Sequence, residues 1–354
     1  MTDSDELSPR LDALRGDFAP LLLAWQRAEG RHHLPWQNTR DPYRVWLSEI
    51  MLQQTQVSTV LGYYQRFLAR FPTVRELGAA PADEVMALWA GLGYYSRARN
   101  LHRCAQQVCE QHGGEFPRSA ELLQTLPGIG RSTAAAIASF CFGERTAILD
   151  GNVKRVLSRL LAFEGDLASS AQEKRLWRAA EALLPPAGAD MPSYTQGLMD
   201  LGAGLCTPRS PQCLLCPVSA LCAGRAQGDP TRFPIKTRKL KRGRRENWWL
   251  WLEQGGRIWL QQRPSEGVWG GLWTLPLFDD EAALLAQARR LGGGEPEALP
   301  RVQHALTHLD WVLHPRRLAL AAAHDLAPPG PGQWVARERL ADYALPAPLK
   351  KLIG

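Results

Sequence analysis

The sequence predicts a multidomain chain, all-α in its first part, closed by a cysteine-bearing loop, and α+β in its second. Three observations carry that prediction. From Arg10 to about Leu205, apolar residues recur at three- and four-residue intervals, with breaks at Gly and Pro. Four cysteines crowd into the segment that ends this half. From Asn247 onward the helical period gives way to short apolar or alternating runs, such as Trp248–Leu252 and Arg257–Gln261, which are typical of strands. At 354 residues the chain is long enough for two separate cores.

In chain order, Leu14, Phe18, Leu21, Leu22 and Trp25 form the first apolar stripe. Ser119 to Leu126 reads as a short helix capped by Ser119, with Leu122, Leu123 and Leu126 facing inward. Pro127-Gly128-Ile129-Gly130 must then turn sharply before an Ala-rich helix resumes at Arg131. Such a hairpin, residues 119–140, lets the backbone approach a ligand closely, and it leaves amides at a helix N-terminus free to bind an anion such as a DNA phosphate. Val153, Val156, Leu157, Leu160 and Leu161 form another stripe, ended near Gly165. The division is thus expected at 1–224 for the helical domain, 225–246 for a linker and 247–354 for the α+β domain. The linker holds Pro230, Pro234 and a run from Lys236 to Arg245 with seven basic residues in ten. It is a solvated surface that could also track phosphates.

The cysteines are Cys206, Cys213, Cys216 and Cys222, at the spacing C-x6-C-x2-C-x5-C over residues 206–222. An all-sulfur shell suits soft metals, and only one short C-x2-C knuckle is present where structural zinc sites usually show two. One 4Fe–4S cluster clipping an irregular loop is the best match, ahead of zinc or disulfides. The first thirty residues carry mixed charges and no apolar segment of secretory-signal length. No apolar run approaches the roughly 20 residues that span a bilayer. The expected setting is therefore soluble and cytoplasmic, and a net charge of +7 permits a polyanionic partner. Cys104, Cys109 and Cys141 fall in helical patterns and read as core thiols.

Leu126–Gly130, the loop Leu149-Asp150-Gly151-Asn152-Val153 and the four cysteines together resemble the helix-hairpin-helix DNA glycosylases that carry an iron–sulfur cluster. Within that group the chain is similar to the adenine DNA glycosylase (MutY) family. The matching segments are Leu34-Pro35-Trp36, the run Val45 to Thr55, Gly91-Leu92-Gly93-Tyr94-Tyr95, the Asp150 loop and Trp269-Gly270-Gly271-Leu272-Trp273. The resemblance spans nearly the whole chain. It implies excision of adenine from double-stranded DNA holding A·8-oxoguanine or A·G mispairs, and a Nudix-like second domain. The chain is expected to act as a monomer.

The residues suit that chemistry. Breaking an N-glycosidic bond to adenine needs a proton for the leaving base and a negative charge beside the sugar cation. Glu49 stands on a largely apolar helix face with Trp46, Ile50 and Gln53, so burial is expected to raise its pKa. The resemblance implies that it protonates the adenine ring and helps activate water. Asp150, expected at a helix N-cap and kept ionised by backbone amides, is implied to stabilise the oxocarbenium ion or form a transient adduct, with Asn152 orienting the site.

Ser132 stands where related bifunctional enzymes carry a nucleophilic lysine, and a serine cannot form an imine. A monofunctional hydrolase is therefore expected. The resemblance assigns Trp36, Leu52, Gln196 and Ser132 to the base pocket. Gln54, Tyr94, Gly128, Gly130 and Arg131 are assigned to DNA, with Tyr94 beside the opposing oxidised guanine. Arg97 and Arg99 are further expected phosphate contacts. In the second domain the glutamate cluster of a working Nudix hydrolase is missing. The family's Phe-Ser-His reader of the opposing base is here Leu306-Thr307-His308, so Thr307 and His308 are the expected lesion readers.

Overall fold

The computed structural model describes residues 7–237, 241–292, 294–321 and 328–353. Arg238, Lys239 and Leu240 of the basic segment lie outside the described residues. The chain forms two compact units, Met1–Gln54 with Cys104–Lys239, and Thr55–Arg103 with Leu240–Gly354. One boundary falls inside the 225–246 segment, and the others at Gln54/Thr55 and Arg103/Cys104.

The first unit is helical. Its core joins Leu14, Phe18 and Leu22 to Val153, Val156, Leu157, Leu160, Tyr194 and Leu198. Most of both predicted stripes is there. Leu21 is the exception, at 41% exposed, because the buried face of helix Phe18–Glu29 runs through Phe18, Ala19, Leu22 and Gln26 and Leu21 lies to its side. Helix Pro42–Leu52 starts with Pro at its first turn and Asp41 at its N-cap, whose carboxylate accepts the Tyr43 N–H at 2.9 Å. Tyr43, Val45, Trp46, Leu47, Ile50 and Met51 are buried around nearly its whole girth. It packs against helix Arg131–Phe142, where five consecutive buried residues, Ala134 to Ala138, include four alanines. Small side chains let two helix axes approach closely.

The hairpin differs from expectation at one residue. Its first helix is the single turn Ala120–Leu123, capped by the Ser119 hydroxyl, which accepts the Leu122 N–H at 3.3 Å. Leu123 and Leu126 are buried, but Leu122 is 51% exposed. One turn presents too narrow an apolar face to bury two adjacent leucines.

In the second unit a mixed sheet is built on the parallel pair Gly243–Gln254 and Leu309–Ala319. Antiparallel strands Arg257–Gln262, Leu277–Phe278, Glu297–Ala298 and Val302–Ala305 flank that pair, and Gln333–Ala336 and Trp273–Thr274 pair with Arg257–Gln262. Helix Glu281–Arg290, N-capped by Asp280, lays Leu284 and Ala288 on Leu250, Leu252 and Leu318. Trp249, Trp269 and Trp311 stack in series at centroid separations of 5.8 and 4.4 Å. Helices Val57–Arg70, Val74–Ala79, Ala82–Trp89 and Ala347–Ile353 also belong to this unit, with the start of helix Ser96–His112.

Candidate active site and cysteine loop

Asp150 is the N-cap of helix Gly151–Leu160, its carboxylate accepting the Val153 N–H at 2.7 Å. Ile148 and Leu149 before it are buried. The Leu149 N–H donates to the Ser132 hydroxyl oxygen at 3.1 Å, which fastens the segment entering Asp150 to the second hairpin helix. Glu49 keeps some exposed surface, but its carboxyl is enclosed by protein. That burial pushes its pKa up to about 8, and the Asp150 charge acts in the same direction. Glu49 therefore holds its proton near neutral pH, chiefly because it is buried.

The expectation for Asp150 needs correcting in one respect. Its cap bond forms, yet its pKa is raised. Burial is the largest influence and outweighs the lowering by the Val153 and Asn152 amides and by the Arg155 and Lys154 charges. A cap favours the carboxylate, but it does not replace the water that burial removes.

Asn152 is held by a residue that sequence reasoning missed. Arg155 Nη2 donates to Asn152 Oδ1 at 2.8 Å and to the Gly202 carbonyl at 2.7 Å, while its Nε donates to the Cys206 carbonyl at 2.7 Å. Gly202 lies in a π-helical turn, Leu201–Leu205, that follows helix Met191–Asp200 and delivers Cys206. A Cβ at Gly202 would stand 2.6 Å from the Asn152 Cβ, so only glycine fits there. The one sequence sign of this arrangement was the Gly-Ala-Gly run before the first cysteine.

The expected pocket residues are placed separately. Trp36 is buried, and Leu52 ends the Glu49 helix half-buried. Gln196 donates through Nε2 to Asp200 Oδ1 at 2.8 Å, and buried Asp200 also accepts the Arg31 backbone N–H at 3.0 Å and its Nε at 2.6 Å. One amide hydrogen of Gln196 is thus already committed.

Among the expected DNA contacts, Gly128 has φ +77°, the left-handed conformation that favours glycine, and Gly130 opens helix Arg131–Phe142 with no side-chain cap. Arg131 is ion-paired with Glu181 and lies 3.9 Å over the Trp177 ring. Gln54 is exposed at φ +58°, and Tyr94 is 42% exposed at φ +48°. Side chains other than Gly rarely adopt that conformation, and such strain concentrates at functional sites.

In the second unit the structure joins two expected readers that lie 213 residues apart. The Tyr94 hydroxyl and Thr307 Oγ1 are 2.8 Å apart, and Thr307 and His308 form the exposed turn between strands Val302–Ala305 and Leu309–Ala319. Arg97 is not placed as a phosphate contact. It is buried, and its guanidinium donates to Thr55 Oγ1 (3.0 Å) and to the carbonyls of Gly93 (3.2 Å) and Leu92 (3.4 Å). It also lies near the Trp89 and Tyr94 rings, and burial lowers its pKa to about 10. Its charge braces the Tyr94 loop from within. Arg99, half-buried, donates to the Gly270 carbonyl at 2.6 Å.

All four cysteines line one cavity, together with buried Arg159, exposed Arg225, Leu205, Pro211, Gln212 and Ser219. None is in a disulfide. Cys206 ends the π-helical turn, Cys213 opens one 3₁₀ turn, and Cys222 closes another. Among the described residues no three Cys, His, Asp or Glu side chains converge at single-ion spacing. Four sulfurs around a shared space, with no carboxylate or imidazole on the wall, make the all-sulfur donor set that an iron–sulfur group takes. Burial pushes the Cys216 thiol up to about 11 and raises Cys222, and a bound metal would itself supply the positive charge that turns such thiols into thiolates.

Family profiles match three segments: "HhH-GPD superfamily base excision DNA repair protein" over residues 47–182, "Iron-sulfur binding domain of endonuclease III" over 206–222 and "NUDIX domain" over 247–354. The chain is 32% identical over 340 residues to the adenine DNA glycosylase of Buchnera aphidicola subsp. Schizaphis graminum, covering 95% of this chain and 97% of that one. It is 35% identical over 401 residues to the adenine DNA glycosylase of Homo sapiens, covering 95% and 73%. Among solved structures it is similar to a thermostable thymine-DNA glycosylase, with a TM-score of 0.53 and 30% identity over 63% of this chain and 100% of that one.

Proposed function

The chain belongs to the adenine DNA glycosylase family of base excision repair, and from that premise we propose a monofunctional enzyme that removes adenine mispaired with 8-oxoguanine or guanine in double-stranded DNA. The observation that carries the reading is the buried carboxyl of Glu49, held protonated near neutral pH chiefly by burial and further by the Asp150 charge. Glu49 donates its proton to the adenine ring as the N-glycosidic bond breaks, and its carboxylate then takes a proton from the attacking water. Asp150 stabilises the cationic sugar, and Asn152, fixed by Arg155, orients the site. The product is an abasic site.

Ser132 supports the monofunctional reading, because its hydroxyl is spent on Leu149 and offers no amine for an imine. Gln54 and Tyr94 enter the base stack, the hairpin at Gly128, Gly130 and Arg131 meets a phosphate, and Trp36, Leu52 and Gln196 border the extruded adenine. Tyr94, Thr307 and His308 read the opposing base. Cys206, Cys213, Cys216 and Cys222 hold one 4Fe–4S cluster, which when bound supplies a rigid clip and a redox-capable group. The glycosidic hydrolysis itself moves no electrons. The enzyme works as a cytoplasmic monomer on DNA, and among the described residues no helix is long and apolar enough to cross a membrane.

The test is a labelled duplex with one A·8-oxoguanine pair, incubated with enzyme and then divided for alkali treatment. Strand cleavage at the adenine only after alkali, lost in Glu49→Gln, supports the proposal. Cleavage without alkali, trapped by borohydride, would show an imine and overturn the monofunctional reading.

A further inference from the structure

Arg159 is a buried cation with an unusual set of partners. It is 2% exposed, and among the described residues no carboxylate pairs with it. Nε donates to the Phe233 carbonyl at 3.1 Å, Nη2 to the Pro208 carbonyl at 2.9 Å, and Nη1 to the Thr207 carbonyl at 2.7 Å and to Cys206 Sγ at 3.3 Å. The three carbonyls accept three of the five guanidinium hydrogens, but they carry no net charge. Arginine does not deprotonate in proteins, and an isolated buried charge is costly unless an anion accompanies it. The one acceptor in this set that can carry a negative charge is the Cys206 sulfur.

The same residue touches the other end of the cysteine loop. Its main-chain carbonyl lies 3.4 Å from Cys222 Sγ, and a Cβ on Gly224 would stand 2.7 Å from that oxygen. One residue of helix Gly151–Leu160 thus meets both the first and the last cysteine, and it walls the cavity all four share.

We propose that Arg159 is the resident counter-charge of the iron–sulfur site. It neutralises the thiolate of Cys206, retains the metal group, and favours that group's more negative state, because a buried cation stabilises added negative charge. The inference rests on the 4Fe–4S reading above and adds a residue outside the four ligands. Arg155, one turn earlier, plays a different part, since it bonds the Cys206 carbonyl and not its sulfur.

The test compares wild type with Arg159→Lys, which keeps the charge, and Arg159→Gln, which keeps hydrogen bonding without it. Iron and sulfide content, iron loss to a chelator and the midpoint potential are measured on full-length protein purified from iron-replete cells. Arg159→Gln is expected to lose iron at least ~10-fold faster and to have a lower midpoint, with Arg159→Lys close to wild type. Wild-type retention and midpoint in Arg159→Gln would overturn the proposal. If Arg159→Gln cannot be recovered with iron, Arg159→Lys decides. A loaded Lys variant supports the counter-charge, whereas a cluster-free one assigns the effect to the guanidinium's bonds with the loop carbonyls and overturns it. A wild type holding zinc without sulfide would overturn the cluster reading itself, and a wild-type metal analysis reveals this separately.

Discussion

At the residue scale, the proposed chemistry depends on keeping a proton on Glu49 near neutral pH. With its pKa pushed up to about 8, the acid form falls away tenfold for each pH unit above that value. Single-turnover adenine release is therefore expected to decline above pH 8. Glu49→Gln should lack that limb and be slower by at least ~100-fold at pH 7, as general acid catalysis typically contributes. Stability carries the same signature. The native state keeps this proton up to about pH 8 while the unfolded chain loses it near 4.5, so the stabilising contribution is complete below 4.5, shrinks through the interval and is gone above 8. Glu49→Gln should accordingly gain in melting temperature over wild type as pH rises from 4.5 to 8, with no further gain beyond. A constant difference across that range would refute the assigned shift. Ser132 makes a second case. Ser132→Ala leaves the Leu149 N–H without its acceptor, which should cost about 1–2 kcal/mol in chemical denaturation and slow adenine release by loosening the approach to Asp150. Ser132→Thr, keeping the hydroxyl, should recover most of the stability.

At the element scale, the π-helical turn Leu201–Leu205 does what a regular helix could not, setting Gly202 against Asn152 and then presenting Cys206 to the cavity. Gly202→Ala would drive a methyl to 2.6 Å from the Asn152 Cβ and 3.1 Å from its backbone. The expected result is a loss of ~1–3 kcal/mol of stability, as for overpacked interiors, with adenine release slowed at least tenfold. Gly204→Ala is the control in the same turn, since a Cβ there meets nothing within 4 Å. Equal effects at both positions would make the turn's flexibility, not the contact with Asn152, the operative property. This turn also marks where sequence reading stops. Glu49, Asp150 and the cysteines could be singled out in the sequence because the chemistry proposed for them demands particular residue types at fixed local spacing. Gly202, Arg155 and Arg159 could not, because their value lies in contacts between segments roughly fifty residues apart along the chain. Leu122 failed because its helix is a single turn, and Leu21 because it stands beside rather than on the buried face of its helix.

At the scale of the whole molecule, the two sets of candidate residues lie in different compact units. The carboxylates and cysteines belong to the first, and Tyr94, Thr307 and His308 to the second. The change from helical to strand periodicity near Asn247 announced the sheet. That residues 55–103 share a unit with it was not legible, because such packing is decided by surface complementarity rather than by periodicity. The consequence is a direct bond between Tyr94 and Thr307, which local patterning could not register across 213 positions. Under the proposed function, both groups face the base opposite adenine, so Thr307 affects lesion reading in two ways: it offers its own hydroxyl and it anchors that of Tyr94. Thr307→Val keeps the branched shape and removes only the oxygen. A single neutral hydrogen bond is worth about 0.5–1.5 kcal/mol, so kcat/KM on A·8-oxoguanine should fall by roughly 2- to 10-fold. The A·G substrate lacks the added oxidised edge and should change by less than about twofold, while Thr307→Ser should retain the wild-type ratio of the two. Equal slowing on both mispairs would make Thr307 a brace for the Tyr94 loop and nothing more. An unchanged ratio with unchanged rates would remove it from lesion reading altogether and leave exposed His308 in the same turn as the residue to test.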